Sequence, residues 1–358
     1  MNISIVIPTS NHPELLKRSL AALDRACAPH GAWEVLVVDN SGEAFRSQNA
    51  KATAAFNQER FRYCPMPQMG LMAARHHGVE LARMEIVSFI DDDSLVRETW
   101  LQGLEGAFED PGVALVGGPN YPEYEVWPPA WLEYFWDRNE WGKHLGYLSL
   151  LDFGTEPKDI PATFVWGCDY SIRKNVFQKV RGSHPDYLPA QWRKYQGDGE
   201  VGLSVKVEAS GYRARYVPEC AINHLVPAVR MTREYLGNRA HFVGLHSSFT
   251  EIRRRNGLGP MQGVTVPVTT APGPCRQLRA WASRTWMGKV KRSLFNSSKL
   301  EPREPTEVAE IRQYLKGRFD EGWAFHQQAV QEDPSLLEYV LRPNFMGENA
   351  RIPGGGCQ

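Results

Sequence analysis

Short apolar runs that alternate with helical patterns restrict the fold of this 358-residue chain more than any other feature. Residues 3–7, 34–38, 85–90 and 113–116 read as strands, and 61–64 as a further short one. The first three end in polar turns, Pro8-Thr9-Ser10-Asn11, Asp39-Asn40-Ser41-Gly42 and Asp91-Asp92-Asp93. Between them lie helical patterns at 13–26, 70–82 and 97–108, the first with Leu15, Leu16, Ser19, Leu20 and Leu23 on one face. Strands alternating with helices make βαβ units and a mainly parallel sheet. Uninterrupted apolar strands are covered on both faces. The expectation is a Rossmann-like α/β domain, and the length suits two to three domains or one large domain with an appendage.

The pattern breaks over residues 119–158, which hold Trp127, Trp131, Trp136 and Trp141 with Tyr121, Tyr124, Tyr134 and Tyr147. This stretch reads as an insertion. Its aromatics suit stacking against sugars, a local core, or a contact between copies of the chain. The α/β pattern resumes with a strand at 162–166, a helix at 197–209, a strand at 212–217 and a helix at 232–254. Residues 257–274 are rich in Gly and Pro and read as a linker. No acidic residue lies between Glu251 and Glu301, while Arg and Lys recur there with Trp281 and Trp286. Segment 276–295 therefore suits either an anionic membrane surface or the acid-rich tail that follows. That tail reads as helical up to Tyr339 and as disordered at its end.

Composition excludes several classes. A hydrophobic share of 42% and a charged share of 23% are ordinary for a globular protein. No run approaches the roughly 18 apolar residues of a membrane span. The first residues lack the basic and apolar regions of a signal peptide. The six cysteines form no C-x-x-C pair, so reduced thiols in a cytoplasmic protein are expected. With 41 basic and 41 acidic residues, bulk charge offers no argument for a polyanion, and no nucleic acid partner is expected.

Chemistry concentrates at Asp91, Asp92 and Asp93. Three adjacent carboxylates at a buried strand end repel one another unless a cation or hydrogen-bond donors compensate them. The carboxyl end of a parallel strand is also where α/β sheets bind ligands. Mg²⁺ or Mn²⁺ bound by few carboxylates plus phosphate oxygens is one reading, and a helix cap is the other. Asp39 ends a neighbouring strand. Gly70 and Arg75 open a helix in a way that suits a diphosphate or a carboxylate. Gly197-Asp198-Gly199-Glu200 reads either as a capped helix start or as a rigid mount for a general base. His224 follows a strand and is alone.

The order of these motifs resembles glycosyltransferase family 2, whose fold is GT-A. The resemblance rests on Ser4 to Thr9, Val35 to Ser41, Gly70 to Arg75, Phe89 to Asp93, Gly197 to Glu200 and Gly211 to His224, and covers about residues 1 to 245. It implies a nucleotide-sugar-binding half (1–118) and an acceptor-binding half with the aromatic insertion (119–250); composition and pattern place a linker (251–275) and a mainly helical extension (276–358) after them. It implies a nucleotide-diphosphate sugar donor, UDP-linked by default, and a carbohydrate or other hydroxyl-bearing acceptor. Pro8, Thr9 and Asp39 would line the base pocket, and Arg75 would contact the base or brace the acidic strand end. Asp91 and Asp92 would face the ribose and diphosphate. Asp93 would bind Mn²⁺ or Mg²⁺, with Asp91 beside it and His224 closing the shell. The family places its base in Gly-Glu-Asp, whereas this chain has Gly-Asp-Gly-Glu. Glu200 is the first choice of base and Asp198 the second. Trp166, Gly167 and Asp169 would contact sugar or acceptor, and Trp192 would offer a stacking face. Two other readings compete. One is a sugar nucleotidyltransferase, which the loop from Pro8 to Pro13 disfavours because it lacks a glycine-rich basic character. The other is a non-catalytic carbohydrate-binding protein on the same fold.

Overall fold

The computed structural model describes residues 1–67, 70–184, 192, 194–195, 197–258, 304–343 and 345. Strands β1 (Ile3–Thr9), β2 (Trp33–Asp39), β3 (Phe61–Pro65) and β4 (Ile86–Ile90) run parallel in the order β3-β2-β1-β4. Alternate residues of β1 enter opposite layers, as the strand period of two requires. Ile3, Ile5 and Ile7 pack with Leu16, Leu20 and Leu23 of helix α1 (Pro13–Arg25). Val6 packs on the other face with Ala74 and Val79 of α3 (Leu71–Leu81). Helix α2 (Glu43–Ala54) links β2 to β3. Thr9 lies opposite Asp39 in the register, so the ends of β1 and β2 share one rim.

The parallel order stops at β4. Its other neighbour, β12 (Asp169–Arg173), is antiparallel both to β4 and to β6 (Val113–Gly117). Strand β13 (Arg213–Tyr216) then pairs parallel with β6 and antiparallel with β11 (Lys158–Ile160). The parallel half meets the expectation, and the far half is mixed. The strand expected at 162–166 is instead a 3-10 turn, Ala162–Phe164. Pro161 opens it, and its carbonyl accepts from the Phe164 N–H at 2.9 Å. The turn sinks Ala162 and Phe164 into the core, and the chain becomes extended only at Asp169.

A second sheet joins β5 (Ser94–Val96), β14 (Ile222–Val226), β7 (Asn120–Tyr124), β10 (Leu150–Asp152), β9 (Lys143–Leu145) and β8 (Asp137–Arg138) in that order. The aromatic insertion supplies four of these strands. Trp131, Trp136, Tyr124 and Tyr147 pack on a core shared with α7 (Arg233–Arg255) and α8 (Thr306–Glu332). Local core is therefore the role of these four rings, while Trp127 is 93% exposed. Helices α7 and α8 approach closely because a Cβ on Gly244 would lie 2.2 Å from the Phe319 carbonyl oxygen, and one on Gly322 would lie 2.1 Å from that of His241. The C-terminal α9 (Pro334–Val340) follows, capped by Asp333. The expected linker begins inside α7, which runs to Arg255. Residues 259–303, with the basic segment 276–295, and the tail from 346 lie outside the described residues. No helix among the described residues is long and apolar enough to cross a membrane.

Candidate active site

The chain leaves β4 at Asp91 and closes a tight turn, with the Ser94 N–H donating to the Asp91 carbonyl at 3.0 Å. The three carboxylates then diverge to separate partners. Asp91 Oδ1 accepts from Arg75 Nη2 at 2.8 Å. Asp92 Oδ2 accepts from Thr9 Oγ1 at 2.7 Å and lies 3.7 Å from His12 Nδ1. Asp93 Oδ2 accepts from Arg230 Nη2 at 2.6 Å. Divergence relieves the repulsion that adjacent acids would otherwise suffer. Burial, with the neighbouring carboxylates, pushes Asp91 up to about 6 against the opposing charge of Arg75. Burial also acts to raise Asp93, but His224 and Arg230 outweigh it and hold the group at about 2. The triplet borders a cleft of about 300 Å³ whose wall includes Pro8, Thr9, His12, Asn40 and Arg230.

Strand β5 brings Asp93 to His224. Ser94 pairs with His224 across the β5–β14 ladder, and the Leu225 N–H donates to the Asp93 carbonyl at 2.9 Å. His224 Nδ1 donates to the Leu148 carbonyl at 2.9 Å, which turns Nε2 towards Asp93 Oδ1, 3.5 Å away. A backbone acceptor on one ring nitrogen is how proteins orient a metal-binding histidine. Asp93 lines the cleft, and the His224 imidazole lies buried behind it, with Nε2 also 3.3 Å from Arg230 Nη1. An acid and an oriented imidazole suit a hard or borderline divalent ion completed by phosphate oxygens. Asp93 and His224 thus fit such an ion. Asp91 is directed at Arg75 instead, which leaves it a weaker candidate ligand.

Arg75 gathers the other acids. Its buried guanidinium donates through Nη2 to Asp91 and, at 2.8 Å, to the Gly167 carbonyl. Its Nη1 lies 3.6 Å from Glu200 Oε2. Gly167 has no room for a side chain, since a Cβ there would fall 2.7 Å from the guanidinium. One cation therefore links the end of β4, the turn before β12 and the start of α6 (Gly199–Ala209). The Glu200 side chain remains one-third exposed, at 33%.

Residues 4–181, about half of the chain, match the profile of glycosyl transferase family 2. The chain belongs to this family. Among its relatives, glycosyltransferase AglE of Haloferax volcanii is 33% identical over 118 residues, covering 32% of this chain and 38% of that protein. Glucosyl-dolichyl phosphate glucuronosyltransferase of the same organism is 23% identical over 218 residues, covering 59% of this chain and 64% of that protein. The chain thus spans less than two-thirds of either relative. Among solved structures, mannosyltransferase PcManGT from Pyrobaculum calidifontis, in complex with GDP-Man and Mn²⁺, aligns with a TM-score of 0.52 and 16% identity, covering 95% of this chain and 84% of that one. The fold is GT-A.

Within this family member, five expected site residues sit elsewhere. Asp39 is fully buried, and its carboxylate accepts from the Ser41 N–H, Asn49 and Tyr63. It shapes the turn, and Asn40 lines the cleft in its place. Asp169 is corrected from a sugar contact to a buried brace, because its oxygens accept from Trp100 Nε1 at 3.0 Å and the Gly118 N–H at 2.8 Å. Burial lifts it to about 7, against those two bonds. Trp192 packs on Tyr339 and donates to Asp333 at 2.8 Å, so it anchors α9 and does not line the cleft. Trp166 packs against both main cores with its Nε1 on the Thr163 carbonyl.

Asp198 is the fifth. It is buried, with Oδ1 on His184 Nδ1 and Oδ2 accepting from Thr250 Oγ1 at 2.7 Å. Burial pushes His184 below its ordinary value, against the opposing charge and hydrogen bond of Asp198. Burial acts to raise Asp198, but His184 and Thr250 overcome it and hold it at about 2. An acid with both oxygens occupied inside the protein cannot serve an incoming hydroxyl. Asp198→Ala is expected to cost about 3 kcal/mol of stability, because it strands two buried donors. Urea unfolding measures this. The depressed carboxyl contributes fully above the ordinary value of about 3.9, and that contribution fades as pH falls from there towards about 2. The parent should therefore lose its advantage over the variant in acid.

Arg230 and His12 were not singled out from the sequence. Neither belongs to a local motif, and each reaches the acids only through the fold.

Proposed function

We propose that this chain is an inverting, metal-dependent glycosyltransferase. It would move a sugar from a nucleotide-diphosphate donor to a hydroxyl-bearing acceptor. The observation that carries the reading is the pairing of Asp93 with His224 at the cleft, beside the cluster in which Arg75 joins Asp91 to Glu200. Asp93 and His224 would hold Mn²⁺ or Mg²⁺. When bound, that ion supplies positive charge to a departing diphosphate. Thr9 and Asn40 line the donor cleft, and Arg230 places a second cation beside it. Glu200 removes the acceptor proton as the hydroxyl oxygen bonds to the anomeric carbon. The bond from that carbon to the phosphate oxygen breaks, and the nucleoside diphosphate leaves with the electron pair. Attack opposite the leaving group inverts the anomeric centre.

Both UDP and GDP donors are compatible with this chemistry. UDP is the default from the family resemblance, and the solved relative holds GDP-Man. Thermal denaturation of the full chain with UDP, GDP and their sugars, with and without Mn²⁺, tests the reading. A ligand at about 100 times its Kd stabilises the folded state by about 2.7 kcal/mol. At least one nucleotide should raise the midpoint, and only with metal present. A flat response to every nucleotide with Mn²⁺ would overturn the assignment.

A further inference from the structure

One guanidinium covers both groups that the site offers to an ion. Arg230 Nη2 donates to Asp93 Oδ2 at 2.6 Å, and Arg230 Nη1 lies 3.3 Å from His224 Nε2. Because His224 Nδ1 donates to the Leu148 carbonyl, Nε2 carries the lone pair and accepts from Arg230. That nitrogen has a single lone pair, so Arg230 and a divalent ion cannot both use it. A cation of the chain itself thus stands where the acid and the imidazole would meet a metal.

The surroundings hold the backbone of Arg230 but leave its side chain room to turn. Arg230 sits in the 3-10 turn Ala228–Met231, which follows β14. Its N–H donates to the Pro227 carbonyl at 2.9 Å, and Thr232 Oγ1 donates to the Val229 carbonyl at 2.9 Å. Met231 is buried with Leu236 and Ala240. The Arg230 side chain, by contrast, is 27% exposed and borders the cleft. Asp91, Asp92 and Asp93 share that wall, and among the described residues that line it Arg230 is the one Arg or Lys. A diphosphate seated beside three carboxylates needs cations to offset the like charge, and a guanidinium meets phosphate oxygens in a two-pronged geometry.

We propose that Arg230 is a placeholder for the metal, capping Asp93 and His224 in the free protein and turning to the donor diphosphate when an ion takes those two groups. This rests on the glycosyltransferase reading and adds to it an exchange of partners within the donor site. Metal alone has to displace Arg230 and leaves the guanidinium without an anion. Metal with a nucleoside diphosphate gives it a new one. The protein therefore favours the metal and the donor together over the metal by itself.

Calorimetric titration of the full chain with Mn²⁺ alone, and with UDP and GDP at saturating Mn²⁺, tests the exchange. Arg230→Gln should bind Mn²⁺ alone about tenfold more tightly than the parent, because no guanidinium has to be displaced. The same variant should bind the nucleoside diphosphate about tenfold more weakly once Mn²⁺ is saturating. Arg230→Lys keeps the charge but cannot span both groups, so its Mn²⁺ affinity should fall between parent and Arg230→Gln. Melting curves identify a variant that fails to fold, and the other is then read against the parent. Unchanged or weaker Mn²⁺ binding by Arg230→Gln overturns the placeholder. So does an Arg230→Lys protein that matches the parent, since charge alone would then account for the effect. Unchanged diphosphate affinity in Arg230→Gln overturns the turn towards the donor. Each of these outcomes leaves the glycosyltransferase reading standing if the parent binds nucleotide with Mn²⁺. A parent that binds neither overturns both.

Discussion

Asp93→Asn is expected to abolish the metal-dependent stabilisation by nucleotide and to lower donor turnover about a thousandfold. The substitution keeps shape and one oxygen but removes the charge. In the parent that charge is stabilised by His224 and Arg230 against the cost of burial. Without it, His224 and Arg230 lose the carboxylate that they share, and the charge of Arg230 is left uncompensated against a divalent ion. Asp92→Asn is the contrasting variant. Asp92 accepts from Thr9 and meets His12 at longer range, so its loss should be milder. Release of nucleoside diphosphate and Mn²⁺ titration by calorimetry measure both effects. An Asp93→Asn protein that binds Mn²⁺ and nucleotide like the parent would remove Asp93 from the metal site.

The parallel half of the fold was legible because β1, β2 and β4 are buried on both faces, and such strands have to be uninterrupted apolar runs. The acid triplet was legible for the same reason, since carboxylates at the end of such a run are conspicuous. What brings Asp93 to His224 was not legible. Ser94–Val96 is three residues long, and its pairing with residues 222–224 has no local signature. Strand β12 was missed for a related reason. Residues 162–166 are the more apolar run, whereas Asp169–Arg173 carries an acid, a serine and an arginine, and only the slot between β4 and β6 selects it as the strand. The aromatic insertion showed its composition but not its use. Packing against α7 and α8, which begin 75 and 148 residues after its end at residue 158, decides that use.

The two acids at the start of α6 show the same limit at the scale of one residue. Asp198 and Glu200 are both glycine-flanked and look interchangeable in sequence. His184 and Thr250, 14 and 52 residues away, claim Asp198. Among the described residues Glu200 has only the long contact to Arg75, and it keeps an exposed face. The resemblance to the family favoured Glu200 by alignment, and burial supplies a physical reason for the same choice.

Glu200→Gln should therefore lower kcat by about a thousandfold while leaving nucleotide affinity within about twofold of the parent. Glutamine fills the same volume at the same helix position and cannot accept the proton. Arg75 keeps its bonds to Asp91 and Gly167, so the strand end and the turn stay in place. The loss should fall on kcat because proton transfer belongs to the transition state, not to ground-state binding. Asp198→Asn provides the opposite signature, with reduced stability and near-parental kcat in the fraction that folds. Steady-state kinetics at saturating donor, with melting curves for each variant, separate the two. A Glu200→Gln protein that transfers sugar at the parental rate would show that another group removes the proton. Since both oxygens of Asp198 are bound inside the protein, that group would have to come from elsewhere around the acceptor.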